Sequence, residues 1–187
     1  MAGVCRQKAG YRGPAAARNT GMRRADTAYI AFCDSDVLPG PGWLGPLVAQ
    51  FADPAVALAA PRALSAAGDA PGPLARYEKN RSPLDMGARE APVIPLSQLA
   101  YVPAAAMVVR KAAIGDGFAP ELRFAEDVDL CLRLYRAGWQ LRYVPAVHEN
   151  RAGGCPAPRG GGAASSGWRW TPLTRRPVQA RIVCACR

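Results

Sequence analysis

Long apolar runs, patterned cysteines and, in its last fifth, carboxylates are all missing from this chain. No stretch of the 187 residues approaches the ~20 apolar residues that cross a bilayer, and residues 1–10 carry no apolar core of the secretion-signal kind. Neither export nor a membrane span is expected. The six cysteines are scattered: of the five after residue 10, Cys33 falls in an apolar run, Cys131 in a helical pattern, and Cys155, Cys184 and Cys186 in an unpatterned end. That scatter excludes a disulfide framework and fits a reducing cytosol. Cys184 and Cys186 also lack a second pair at zinc-site spacing, so no structural zinc is expected. Residues 151–187 hold seven arginines and no Asp or Glu, so seven of the ten net positive charges sit there. The body is mildly basic, and the basic end offers no recognised motif or aromatic-basic stacking surface, which argues against a nucleic-acid partner.

What is present reads as one α/β domain over residues 1–150, followed by an Arg/Gly/Pro-rich tail over 151–187 that follows neither the helix nor the strand period and is expected to be disordered. Pro14–Arg24 is alanine-rich with proline at a first helical position, so a short helix is predicted. The apolar run from Thr27 to Cys33 predicts a buried strand that ends in Asp34-Ser35-Asp36. The spacing of Trp43, Leu44, Leu47, Val48 and Phe51 marks one helical face, and residues 56–60 predict a strand. Strand, helix, strand favours a layered α/β domain with a mainly parallel sheet, whose ligands gather beyond the carboxyl ends of the strands. Residues 62–97 read as an excursion over that end, with a helix at 74–81, and 101–110 as one or two short strands. Val128, Cys131, Leu134 and Tyr135 form the stripe of a helix over 125–137, which Gly138 stops. Residues 140–144 predict a closing strand before Pro145 and the lone His148.

Three features carry chemistry. Asp34 and Asp36 lie two positions apart where a strand ends, which lets both converge on a divalent cation, Mg²⁺ or Mn²⁺, bridging a diphosphate. A solvated acidic turn has the same composition. Glu126-Asp127 opens a helix, where the macrodipole favours ionised carboxylates. Helix-start chemistry alone accounts for such a pair, while a carboxylate aimed into a cleft would take a proton from a sugar hydroxyl, with Asp127 the candidate. His148 follows a strand and is either a metal ligand or a packing residue.

Taken together, residues 13–21 with Arg18-Asn19, residues 30–36 ending in Asp34-Ser-Asp36, Gly117-Phe118, and Ala125-Glu126-Asp127-Val-Asp129-Leu resemble the inverting family 2 glycosyltransferases across roughly residues 13–150. The resemblance implies a partial GT-A fold, a Rossmann-like sheet flanked by helices. It implies that Asp34 and Asp36, with Arg18 and Asn19, bind the nucleotide-sugar donor, that Asp36 and His148 hold Mn²⁺ or Mg²⁺, and that Asp127, supported by Glu126, is the catalytic base. For Arg18 and Asn19 a helix salt bridge and a turn serve equally well. Residues 74–93 and 101–113 are similar to the branch of the family that glucosylates mycofactocin, a peptide-derived redox cofactor. That implies UDP-glucose as donor and a mycofactocin precursor as acceptor. It further implies a cytoplasmic location, with contact to the inner face of the membrane only through segments these residues do not contain. Family members place further strands before the position of Gly13. Two outcomes are therefore expected, an active hexosyltransferase or an inactive remnant that binds metal or sugar nucleotide weakly.

Overall fold

The computed structural model describes residues 13–34, 36–65, 72–73, 84–151 and 180–185, the last six and residues 65 and 146–151 by backbone alone. In chain order these form helix α1 (Pro14–Arg24), strand β1 (Tyr29–Asp34), β2 (Val37–Pro39), helix α2 (Leu44–Ala49) with a 3₁₀ turn at Gln50–Ala52, β3 (Val56–Ser65), β4 (Ala91–Pro92), β5 (Ala106–Arg110), the single-turn α3 (Lys111–Ile114), α4 (Glu126–Arg136), β6 (Gln140–Arg151) and β7 (Ala180–Ala185). The helix expected at 74–81 lies outside the described residues.

The strands form one seven-stranded sheet in the order β2-β6-β3-β5-β1-β7, and β4 shares the free side of β6 with β2. Alternation along the central strands explains the layers. Ile30 and Phe32 of β1, with Met107 and Val109 of β5, join Ala15 and Met22 of α1 and Leu130, Cys131 and Leu134 of α4 in the larger core. Ala31 and Val108 point the other way, into a second core with Leu47, Val48 and Phe51. Because both faces are covered, β1 carries an unbroken apolar run rather than an alternating one. Cys131 sits deep in the first core, where burial pushes its thiol to about 12, far from a reactive thiolate.

The sheet is mixed, which corrects the expectation of a mainly parallel one. β5 lies between β3 and β1 and runs antiparallel to both. The reason is the excursion after β3. It leaves from the carboxyl end of that strand and re-enters at the same end, so the returning strand must run the opposite way. Closing strand β6 also runs further than its apolar stretch suggests. It pairs parallel with β3 from Gln140, slips where Pro61 faces Val144, and resumes with Arg62 opposite His148. Two prolines, Pro61 and Pro145, flank the slip, and neither can donate to the ladder.

Within the stretch expected to lack packed structure, Ala180–Ala185 runs parallel to β1 in register from Tyr29 to Asp34. The remainder of the stretch lies outside the described residues. β7 covers an edge of β1 whose unpaired N–H and C=O groups would otherwise offer a pairing template. Deleting residues 180–187 is expected to convert a monodisperse sample into higher-order species at micromolar concentration, measured by size exclusion with light scattering. An unchanged mass would show that β7 does not seal this edge.

Candidate functional site

The carboxyl end of β1 is where the chain gathers its buried charge. The buried face of α1 carries Ala15, Arg18, Asn19 and Met22, the spacing of a helical stripe, yet its middle is polar. Arg18 is 2% exposed, and its partners are remote in sequence. One terminal nitrogen donates to Asp34 Oδ1 at 2.7 Å and the other to Glu126 Oε1 at 2.7 Å. The guanidinium also lies over the Phe118 ring, 5.2 Å from its centroid, and that ring meets Phe32 edge-on. Removing the cation would break two buried ion pairs at once, a loss on the order of 3–5 kcal/mol.

Asn19 is equally committed. Its amide nitrogen donates to the Phe118 carbonyl at 2.7 Å, and its amide oxygen accepts from the Phe118 N–H at 2.8 Å. The turn before Phe118 is shaped to allow this approach. Gly117 has φ 92°, and a Cβ there would stand 2.3 Å from Asn19 Oδ1. Only glycine avoids both the backbone strain and the clash.

At the start of α4, Ala125 takes the left-handed conformation, φ 62°, and no side chain caps the helix. This bend turns Glu126 inward to Arg18, while Asp127 is half-buried at the rim. Asp127 Oδ2 accepts from the Ala104 N–H at 3.3 Å and Oδ1 from the Val128 N–H at 2.9 Å. Burial raises its pKa above the ordinary carboxylate range, outweighing those two hydrogen bonds, and the neighbouring Glu126 adds to the rise. Asp129 faces elsewhere, paired with Arg133 at 2.8 Å, and Arg133 in turn donates to the Gly117 carbonyl.

Asp34, Arg18, Asn19, Glu126 and Asp127 are thus brought to one end of the sheet, and Asp36 follows two residues on, in the turn before β2. His148 is not brought beside Asp36 by strand pairing. Val37 faces Arg151 and Pro39 faces Glu149, which sets His148 about four residue steps, ~13 Å, along the strands from the level of Asp36. The side chain of His148 lies outside the described residues. No group of three His, Cys, Asp or Glu poised for a metal exists among the described residues. Asp36, just past the strand end and less buried than Asp34, offers the hard oxygen chemistry that a Mg²⁺- or Mn²⁺-like ion takes, and would hold such an ion together with donor phosphate.

One cluster escaped the sequence reading. Arg62 grips Asp85 through two hydrogen bonds of 2.7 and 2.8 Å, Asp85 accepts from the Gly87 N–H, and Tyr143 donates to the Gly87 carbonyl. The Arg62 hydrogen bond holds the Asp85 carboxyl below its usual range. This cluster pins the returning arm of the excursion to β3 and β6. Nothing local in the sequence links Arg62 to Asp85, 23 positions on, or Gly87 to Tyr143, 56 positions on.

The family model described as Glycosyl transferase family 2 matches residues 2–114. The chain belongs to that family. Within it, the chain is 52% identical over 145 residues to the pre-mycofactocin glycosyltransferases of two Mycobacterium tuberculosis strains, CDC 1551 / Oshkosh and H37Rv. The match covers 75% of this chain and 31% of each relative, so the chain spans under a third of their length. Among solved structures, a mannosyltransferase from Pyrobaculum calidifontis, in complex with GDP-Man and Mn²⁺, aligns with TM-score 0.51 and 20% identity over 75% of this chain and 36% of that one. This likeness concerns the fold, which is the GT-A arrangement of a family 2 glycosyltransferase. No helix among the described residues is long and apolar enough to cross a membrane.

Gly117→Ala is expected to destabilise the folded chain by about 2–4 kcal/mol, combining strain at a positive φ with loss of the Asn19–Phe118 pair. Thermal unfolding followed by circular dichroism checks this. A stability within 0.5 kcal/mol, roughly the scatter of neutral surface changes, would show that the turn relaxes freely.

Proposed function

We propose that this chain carries the diphosphate and catalytic-base portion of an inverting hexosyltransferase, moving glucose from UDP-glucose to a hydroxyl of a mycofactocin precursor. The observation that carries the reading is the joining of two motifs 92 residues apart: Arg18 links Asp34, at the end of β1, to Glu126, the residue before Asp127. The high identity to pre-mycofactocin glycosyltransferases supports the acceptor class. Residues 1–150 are the glycosyltransferase unit in this reading, to which β7 adds a strand. The free, buried Cys131 accords with a cytoplasmic site of action in this reading.

Asp36, with the donor diphosphate, would hold the divalent ion, Mn²⁺ or Mg²⁺, and Asp34 would flank the donor. When bound, that ion neutralises charge developing on the leaving diphosphate. Asp127 accepts the proton of the acceptor hydroxyl as the hydroxyl attacks the anomeric carbon from the face opposite the diphosphate. One displacement with one protein base inverts the anomeric centre, and no second carboxylate is needed as an acid. The raised pKa of Asp127 suits a base, since burial strengthens its proton affinity. His148 stands on the strand that pairs with β2, and the register favours a peripheral contribution from it.

Titration calorimetry of the 187-residue chain with UDP-glucose and Mn²⁺ tests the donor site. Saturable, metal-dependent heat is expected, lost in Asp36→Ala and weakened less than about tenfold in His148→Ala, because two or fewer carboxylates with phosphate suffice for such ions. A folded chain that gives no heat would favour an inactive remnant. With turnover in hand, Asp127→Asn is expected to lower kcat by about 10²–10⁴-fold. In the parent protein, the acid limb of the rate profile should lie above the ordinary carboxylate range, because burial keeps Asp127 protonated to higher pH. A limb at or below that range would remove Asp127 from the role of base.

A further inference from the structure

We infer that Arg18 is a positioning residue that ties the base-bearing helix to the metal-motif strand, and that it makes no contact with the donor. The inference rests on Asp127 being the base. Both terminal nitrogens of Arg18 are spent on Asp34 and Glu126 within a 2% exposed side chain, so neither is presented to a nucleotide. Its Nε is buried without a hydrogen-bond partner, a cost accepted where the two carboxylates fix the orientation of the group. Asn19, next in the helix, is closed on the Phe118 backbone, so α1 is clamped to the turn before α4 as well as to β1.

The need for such a clamp lies at Ala125. Its left-handed conformation and the missing side-chain cap leave the first turn of α4 without a local lock. Glu126 supplies the lock from inside through Arg18, and Asp127 follows it in the chain. Shifting that turn by an ångström would carry the Asp127 carboxylate away from the Ala104 N–H, the contact that ties it to the rest of the fold. Proton transfer depends steeply on such placement.

Lysine tests the geometry, because one ammonium keeps the charge yet cannot grip two carboxylates as a planar fork does. Arg18→Lys and Glu126→Gln in the 187-residue chain would be read by amide hydrogen exchange, by calorimetric Kd for UDP-glucose with Mn²⁺, and by kcat and KM. Expected is exchange at the Ala104 and Val128 amides faster by roughly tenfold or more, with the Leu58 and Ala59 amides of β3 unchanged, as for local loosening. A fall in kcat of about 30-fold or more with donor Kd held within about threefold is also expected, the split that marks misplacement rather than lost binding. Two results would overturn the inference: parent-like exchange and kcat in Arg18→Lys, or a loss confined to Kd, which would make Arg18 a donor contact. If the parent chain binds no donor, the proposed activity fails while the exchange comparison still decides the clamp. Glu126→Gln, which keeps the shape and an acceptor oxygen, serves should Arg18→Lys fail to fold.

Discussion

A single buried guanidinium organises this end of the molecule. Charge is costly to bury, and Arg18 is tolerated in the core because it meets two carboxylates at hydrogen-bonding distance, each of which would be costly alone. The three groups depend on one another, and they come from a helix at the start of the described chain, the end of a central strand and the start of a helix more than a hundred residues later. Holding them together forces α1, β1 and α4 into one arrangement, and the aromatic pair Phe32 and Phe118 seals it from below.

The rest of the fold serves that junction. Antiparallel β5, between β3 and β1, fixes the height of β1 in the sheet. Arg110 stabilises its far end: it donates to the carbonyls of Val56, Phe51 and Asp53 and lies over the rings of Tyr29 and Phe51. That arginine works at the end opposite the site, where the same chemistry is purely structural. Arg62 and Asp85 do a third job, anchoring the excursion. Three arginines of one chain thus differ in role only through what surrounds them.

Commitment of Arg18 and Asn19 to protein partners changes how the family motif is understood here. A segment that resembles a nucleotide-lining stretch holds its two polar side chains inward. In the proposed reading, contact with donor would then fall to groups at the rim, Asp36 foremost, while Asp127 is held by the Ala104 and Val128 N–H groups. Ala125 is the strained point of this arrangement, a non-glycine residue in the left-handed region, where a bend sends the successive carboxylates Glu126 and Asp127 to different partners.

Much of the fold was legible because it depends on local pattern. Proline at the first turn marked α1, the apolar run marked β1, and the stripe from Val128 to Tyr135 with Gly138 behind it marked α4. The acidic pairs at Asp34–Asp36 and Glu126–Asp127 were visible for the same reason, since a strand end and a helix start are local features. The direction of β5, the continuation of β6 past Pro145, the pairing of β7 and the Arg62–Asp85 anchor were not, because each is a contact between segments far apart in sequence. The amino-acid sequence by itself determined the family, the types of the strongly patterned elements and the positions of the two acidic pairs. Only the tertiary structure decided which carboxylates are buried in a salt bridge and which stands half-buried at the rim, because burial, and with it the worth of a charge, is a property of the packed neighbourhood.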